Sequence, residues 1–165
     1  MKNFILGFLA ALVLLVAGPF LYLRLGAADV NADVQAPGWL SRLTSFAVHA
    51  SVARNAPDTP SSTSHTDADL IAGGTLYMDG CAGCHGRFGR PPRKRVYFTS
   101  PPEFAHVGTQ YSEPQVIWII KHGIRRSGMS PYGYNEKQLS SLAGFIKRMK
   151  DLPPPVVAAL QPKKP

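Results

Sequence analysis

The chain has 165 residues, 45% of them hydrophobic, two cysteines and a net charge of +8, which suits one small domain with appendages. The charge is uneven: residues 29–80 carry two Arg and six Asp, whereas residues 81–130 carry eight Lys or Arg against two Glu. A coat for nucleic acid would be basic throughout; a basic domain behind a mildly acidic stretch points instead to docking on an acidic protein or membrane surface.

Phe4 to Leu23 is a run of 20 residues without a charge, bounded by Lys2 and Arg24. As a helix it would span about 30 Å, the thickness of a bilayer core. Gly18-Pro19 interrupts it, which a membrane helix tolerates. The rival is a cleaved signal peptide with Gly26-Ala27-Ala28 as its small-residue site, but the apolar run is long for that. Residues 1–24 are therefore expected to be a retained signal-anchor. Lys2 and Arg24 flank the run symmetrically and do not orient it.

Residues 25–65 read as a tether enclosing a helix at 37–55, in which Trp39, Leu40, Leu43, Phe46, Ala47 and Ala50 share one apolar face. That face suits a membrane surface, the chain's own domain or a partner subunit. His49 within it is expected at the surface. Ala56 to Ser64, rich in Pro, Ser and Thr, is a linker.

A folded domain is expected over 66–152. Thr66-Asp67-Ala68-Asp69 offers a helix cap, and the helix would end near Asp79-Gly80, delivering Cys81-Ala82-Gly83-Cys84-His85. Two thiols at this spacing, followed at once by an imidazole, are the attachment signature for c-type haem. A thioredoxin-like pair would need a βαβ context, and a structural zinc site a second pair of ligands. Cys81 and Cys84 are thus candidates for covalent attachment and His85 for an iron ligand.

Residues 86–111 form a long loop with four Pro and the basic run Arg87, Arg90, Arg93, Lys94 and Arg95. Ser112-Glu113-Pro114-Gln115 has the spacing of a capping box, opening a helix that stops at His122-Gly123. Gly128 to Gly133 is an irregular turn. Asn135 caps a last helix with Leu139, Leu142, Phe145, Ile146 and Met149 on one face, and residues 153–165 form a Pro/Lys-rich tail. Nothing here asks for a strand. Tyr97 and Trp118 have polar tips able to reach haem propionates, and Phe98, Phe104 and Tyr111 could line the ring.

Over residues 66–150 the chain resembles a class I cytochrome c, single-haem and membrane-anchored. The residues that carry the resemblance are Gly73-Gly74-Thr75-Leu76-Tyr77 ahead of the Cys81–His85 motif, the Gly128-Met129 turn, and the terminal helix with Phe145. The resemblance implies an all-α fold: crossed first and last helices, with Gly73 or Gly74 facing Phe145, and a middle helix wrapped around one haem, behind an N-terminal transmembrane helix. It implies His85 as proximal ligand, with a backbone carbonyl of Pro101-Pro102 accepting from its other ring nitrogen. Of four methionines only Met129 lies in an irregular segment, where the family places its second ligand; His122 and His106 are the alternatives. A Met/His pair raises the reduction potential and leaves no open position. The resemblance also implies haem attachment outside the cytoplasm of a bacterium, placing the domain in the periplasm. The leading expectation is a one-electron carrier with redox-protein partners that dock by acidic surfaces, no enzymatic activity and no nucleic acid. The alternatives are a cytochrome subunit fixed in a dehydrogenase or oxidase complex, and a haem enzyme or gas sensor with a labile sixth ligand.

Overall fold

The structure is a computed structural model, which describes residues 1–28, 30–31, 34–60, 63–87, 90 and 100–161. Among the described residues it is all-helical, with no strand. It divides into two units, 1–33 and 34–165.

The first unit is one helix, α1 (Lys2–Arg24), with Pro19 inside it and no buried residue. It is long and apolar enough to cross a membrane.

The second unit contains α2 (Gly38–Asn55), α3 (Asp67–Gly80), the single turn α4 (Ala82–His85), the short α5 (Phe104–Val107), α6 (Glu113–His122), α7 (Glu136–Arg148) and α8 (Pro154–Leu160). Three of these helices begin with reciprocal capping boxes. Thr66 pairs with Asp69, Ser112 with Gln115, and Asn135 with Gln138. Each satisfies two backbone donors that a helix start otherwise leaves open. The Thr66 hydroxyl and backbone also hold the Asp69 carboxyl below its ordinary range.

The core forms where α3, α6 and α7 meet. Leu70, Tyr77, Leu139, Leu142 and Phe145 are fully buried, joined by Val116, Ile120, Ile146 and Met149. The crossing of α3 with α7 depends on Gly73 and Gly74. A Cβ on Gly73 would run into the Ser141 carbonyl, so only hydrogen there lets the two backbones touch. Gly74 lies against the Phe145 ring and Leu160. Tyr77, one turn further on, packs its ring 5.5 Å from that of Phe145.

Two features differ from the sequence reading. Where a tail was expected, Pro153 opens α8, whose Val156 is fully buried and whose Leu160 covers Gly74. Its start carries consecutive prolines, which suit a first helical turn as well as they suit a tail. The second concerns α2. Its buried residue is Val52, and half-buried Leu40, Ser41, Thr44, Ser45, Val48 and His49 accompany it, whereas Trp39, Leu43 and Phe46 of the expected apolar face are exposed. His49 stacks on Tyr111 with ring centroids 4.9 Å apart and accepts from Gln110 Nε2 at 2.9 Å. Polar and aromatic contacts thus hold the face that periodicity ranks as the less apolar one.

The glycine contact gives a direct test. Gly73→Ala should lower the unfolding free energy by about 1–3 kcal/mol through overpacking against the α7 backbone, measured by denaturant titration. Gly38→Ala, in open space, should leave it within about 0.5 kcal/mol.

Candidate haem attachment site

Helix α3 runs directly into the motif. The Cys81 N–H closes the last turn on the Tyr77 carbonyl at 2.8 Å, and one further turn, α4, follows. In that turn the Cys84 and His85 N–H groups both donate to the Cys81 carbonyl, at 3.1 and 2.9 Å. Helical spacing therefore puts Cys81, Cys84 and His85 on one face, which is what two bonds to a flat macrocycle and one bond to its central iron require. Both cysteines are free thiols; Cys81 is half-buried and Cys84 exposed. Burial pushes the Cys81 thiol up to about 11, with the Cys84 sulfur adding to the shift.

Two hydrogen bonds fix His85. Its Nδ1–H donates to the Pro102 carbonyl at 2.9 Å, which assigns the proton to Nδ1 and leaves the Nε2 lone pair available. Its backbone is held from beneath: the Tyr77 hydroxyl donates to the carbonyls of His85 and Gly86, at 3.1 and 2.8 Å. The ring also stacks on Phe104, with centroids 4.6 Å apart and planes 8° from parallel. Desolvation pulls the imidazole below its ordinary pKa, against the Pro102 hydrogen bond, which raises it. A neutral, oriented imidazole is the form a metal takes.

Met129 is set by the end of α6. Gly123 has φ +66, a conformation open to glycine at little cost, and a Cβ there would strike the backbone of Met129, Ser130 and Pro131. The segment folds back on the helix: Ile124 N–H donates to the Met129 carbonyl at 3.0 Å and Tyr132 N–H to the Ile120 carbonyl at 3.0 Å. Ser127 Oγ accepts from Met129 N–H at 3.1 Å. Arg126, with φ +60, is strained into the same turn. The Met129 side chain is half-buried and packs on the core cluster that Cys81 and Phe104 also border.

The other candidates are otherwise engaged. His106 is exposed, donates from Nε2 to the Arg90 carbonyl at 3.1 Å and lies 3.8 Å from Glu103. His122 is exposed at the end of α6, its ring 4.9 Å from that of Trp118, which is half-buried. Met149 is buried in the core. Of the proline pair, Pro102 supplies the carbonyl and Pro101 is half-buried beside it. Tyr97, Phe98 and the basic residues 93–95 lie outside the described residues.

Sequence reasoning passed over a stacked pair, Tyr132 and Tyr134, with centroids 5.4 Å apart. The Tyr132 hydroxyl donates to the Gly80 carbonyl at 3.0 Å, next to Cys81. Burial raises both phenols, and the two cysteines raise Tyr132 further. The signal was the Tyr-Gly-Tyr alternation, visible in an irregular segment but without a period to say where it points.

The donor set fits covalent haem: two free thiols and an oriented imidazole on one turn, with the Met129 thioether against the core cluster that Cys81 also borders. Among the described residues no group of three His, Cys, Asp or Glu forms a separate metal site.

Comparison with known proteins agrees. The family model described as "Cytochrome C oxidase, cbb3-type, subunit III" matches residues 68–146. Cytochrome c-551 of Bacillus subtilis (strain 168) is 30% identical over 87 residues, covering 53% of this chain and 70% of that protein. No solved structure matches the chain.

Replacing Tyr77 by Phe leaves the His85 and Gly86 carbonyls without their buried donor. The unfolding free energy should fall by about 1–3 kcal/mol; an unchanged value would mean that neither carbonyl depends on Tyr77.

Proposed function

The chain belongs to the class I c-type cytochromes, and on that footing we propose that it is a one-electron carrier held at the outer face of a bacterial cytoplasmic membrane. The haem c of this family supplies a ferric/ferrous couple. Cys81 and Cys84 would carry its thioether links, and His85 and Met129 would ligate its iron. The observation that carries this reading is the His85 Nδ1–Pro102 hydrogen bond, which commits the other ring nitrogen to a single role.

Each residue then has a task. Pro102 and Tyr77 hold the imidazole from its side and from its backbone, so it need not reorient as the charge on the iron changes. Met129 supplies a thioether, which favours the ferrous state and raises the potential. With His85 and Met129 both on the iron, no position would be left for a substrate, which favours transfer of electrons over catalysis. Exposed Arg87, Arg90, Lys121, Arg125 and Arg126 supply positive charge for steering an acidic redox partner. Helix α1 is assigned as the anchor, with the haem domain in the periplasm.

A second reading has one observation in its favour: the matching family model is described by an oxidase subunit. In that reading the chain is a fixed subunit of a membrane complex. Mild-detergent purification from the native membrane separates the two. The carrier reading expects a lone band near 17.9 kDa; stable co-purifying subunits would replace it with the second.

Axial ligation is tested by Met129→Ala in the haem-loaded full chain. The ferric spectrum should lose its low-spin form, and the midpoint potential should fall by on the order of 0.1 V, within the ~0.8 V range that axial ligands set. An unchanged ferric spectrum would remove Met129 from the iron.

A further inference from the structure

The body of the domain covers one face of helix α2, a mixed polar one, and leaves an apolar stripe on the other face uncovered. On the covered side Val52 is 1% exposed, His49 stacks on Tyr111, and just beyond the helix the Ser112 hydroxyl donates to the Pro57 carbonyl at 2.9 Å. On the other side Trp39, Leu43 and Phe46, at i, i+4 and i+7, are 67%, 57% and 71% exposed. Of the five large hydrophobic side chains exposed among the described residues of the unit 34–165, three lie on this stripe. The haem site makes no use of it.

We propose that this stripe seats the domain on the lipid surface of the membrane that holds α1. The proposal rests on the reading of α1 as a membrane anchor and goes beyond it, since an anchor alone leaves the domain free to tumble. Three observations select lipid as the occupant. Thirteen residues, 25–37, separate the end of α1 from the start of α2, and fully extended they reach at most about 45 Å. The bilayer surface is therefore always within reach of α2. Charge agrees: α2 contains no acidic residue and exposes Arg42 and Arg54, which suits anionic headgroups. Size agrees as well. Three side chains offer on the order of 400 Å², short of the ~800 Å² per partner of a stable protein interface. It is ample for an interfacial helix led by a Trp, the residue type that settles at the headgroup level.

The test uses the haem-loaded full chain in phosphatidylethanolamine/phosphatidylglycerol vesicles, with the photo-crosslinker p-benzoylphenylalanine placed in turn at Phe46, at Leu12 in α1 and at the exposed Lys137 on α7. Phospholipid adducts should form at Leu12 and at Phe46, with Phe46 at least tenfold above Lys137. An adduct at Leu12 but none at Phe46 above the Lys137 level would overturn the proposal while sparing the anchor. Cross-linking of Phe46 to a second copy, or in native membranes to another polypeptide, would overturn it too. Loss of the Leu12 adduct would remove the anchor itself, and the proposal with it.

Discussion

At Gly73 and Ser141 the backbones of α3 and α7 come together with no room for a side chain between them. The functional end of the domain depends on that contact. With no side chain between them the helices sink together, and Leu70, Tyr77, Leu142 and Phe145 close over the crossing. Tyr77 then stands where its hydroxyl meets the His85 and Gly86 carbonyls. The same residue that fills the core beside Phe145 thus fixes the start of the loop beyond the motif. A wider crossing would move Cys81, Cys84 and His85 as one body, because all three hang on the last turn of α3 and the turn after it.

Much of this was legible in the sequence because local rules and global packing agree. The Thr66, Ser112 and Asn135 caps are chemical signals of short range, and each begins a helix where its spacing said it would. The apolar face Leu139, Leu142, Phe145, Ile146 and Met149 is buried because a helix with one apolar side has one place to put it. The Cys81–His85 motif needs no fold to be recognised. Less could be read where the decisive contact is long-range. That Gly73 meets α7 backbone while Gly74 meets Phe145 and Leu160 follows from the angle of the crossing, which composition does not encode. Helix α8 was missed because Pro153-Pro154-Pro155 marks both the end of one helix and the start of another.

Helix α2 shows where periodicity stops being informative. Hydrophobic spacing identifies which residues share a face, but not which of two faces the domain will take. Here a π-stack, two side-chain hydrogen bonds and one valine outweigh a stripe with larger aromatic and aliphatic side chains. Burying that stripe inward would have been worth more in transfer free energy. Its outward placement leaves that gain available to an apolar surface outside the domain. The contrast with α7 is instructive, since there the apolar face and the buried face coincide.

The hydrogen bond from His85 to Pro102 joins residues 17 positions apart, and Tyr77 pins the chain just beyond His85. The chain between Gly86 and Pro102 is thereby pinned at both ends. Closure entropy grows only with the logarithm of length, about 0.6 kcal/mol for a doubling. Insertions and deletions between the two pins should therefore accumulate without turning the imidazole. The sequence between the pins is free to vary while the orientation of His85 stays fixed.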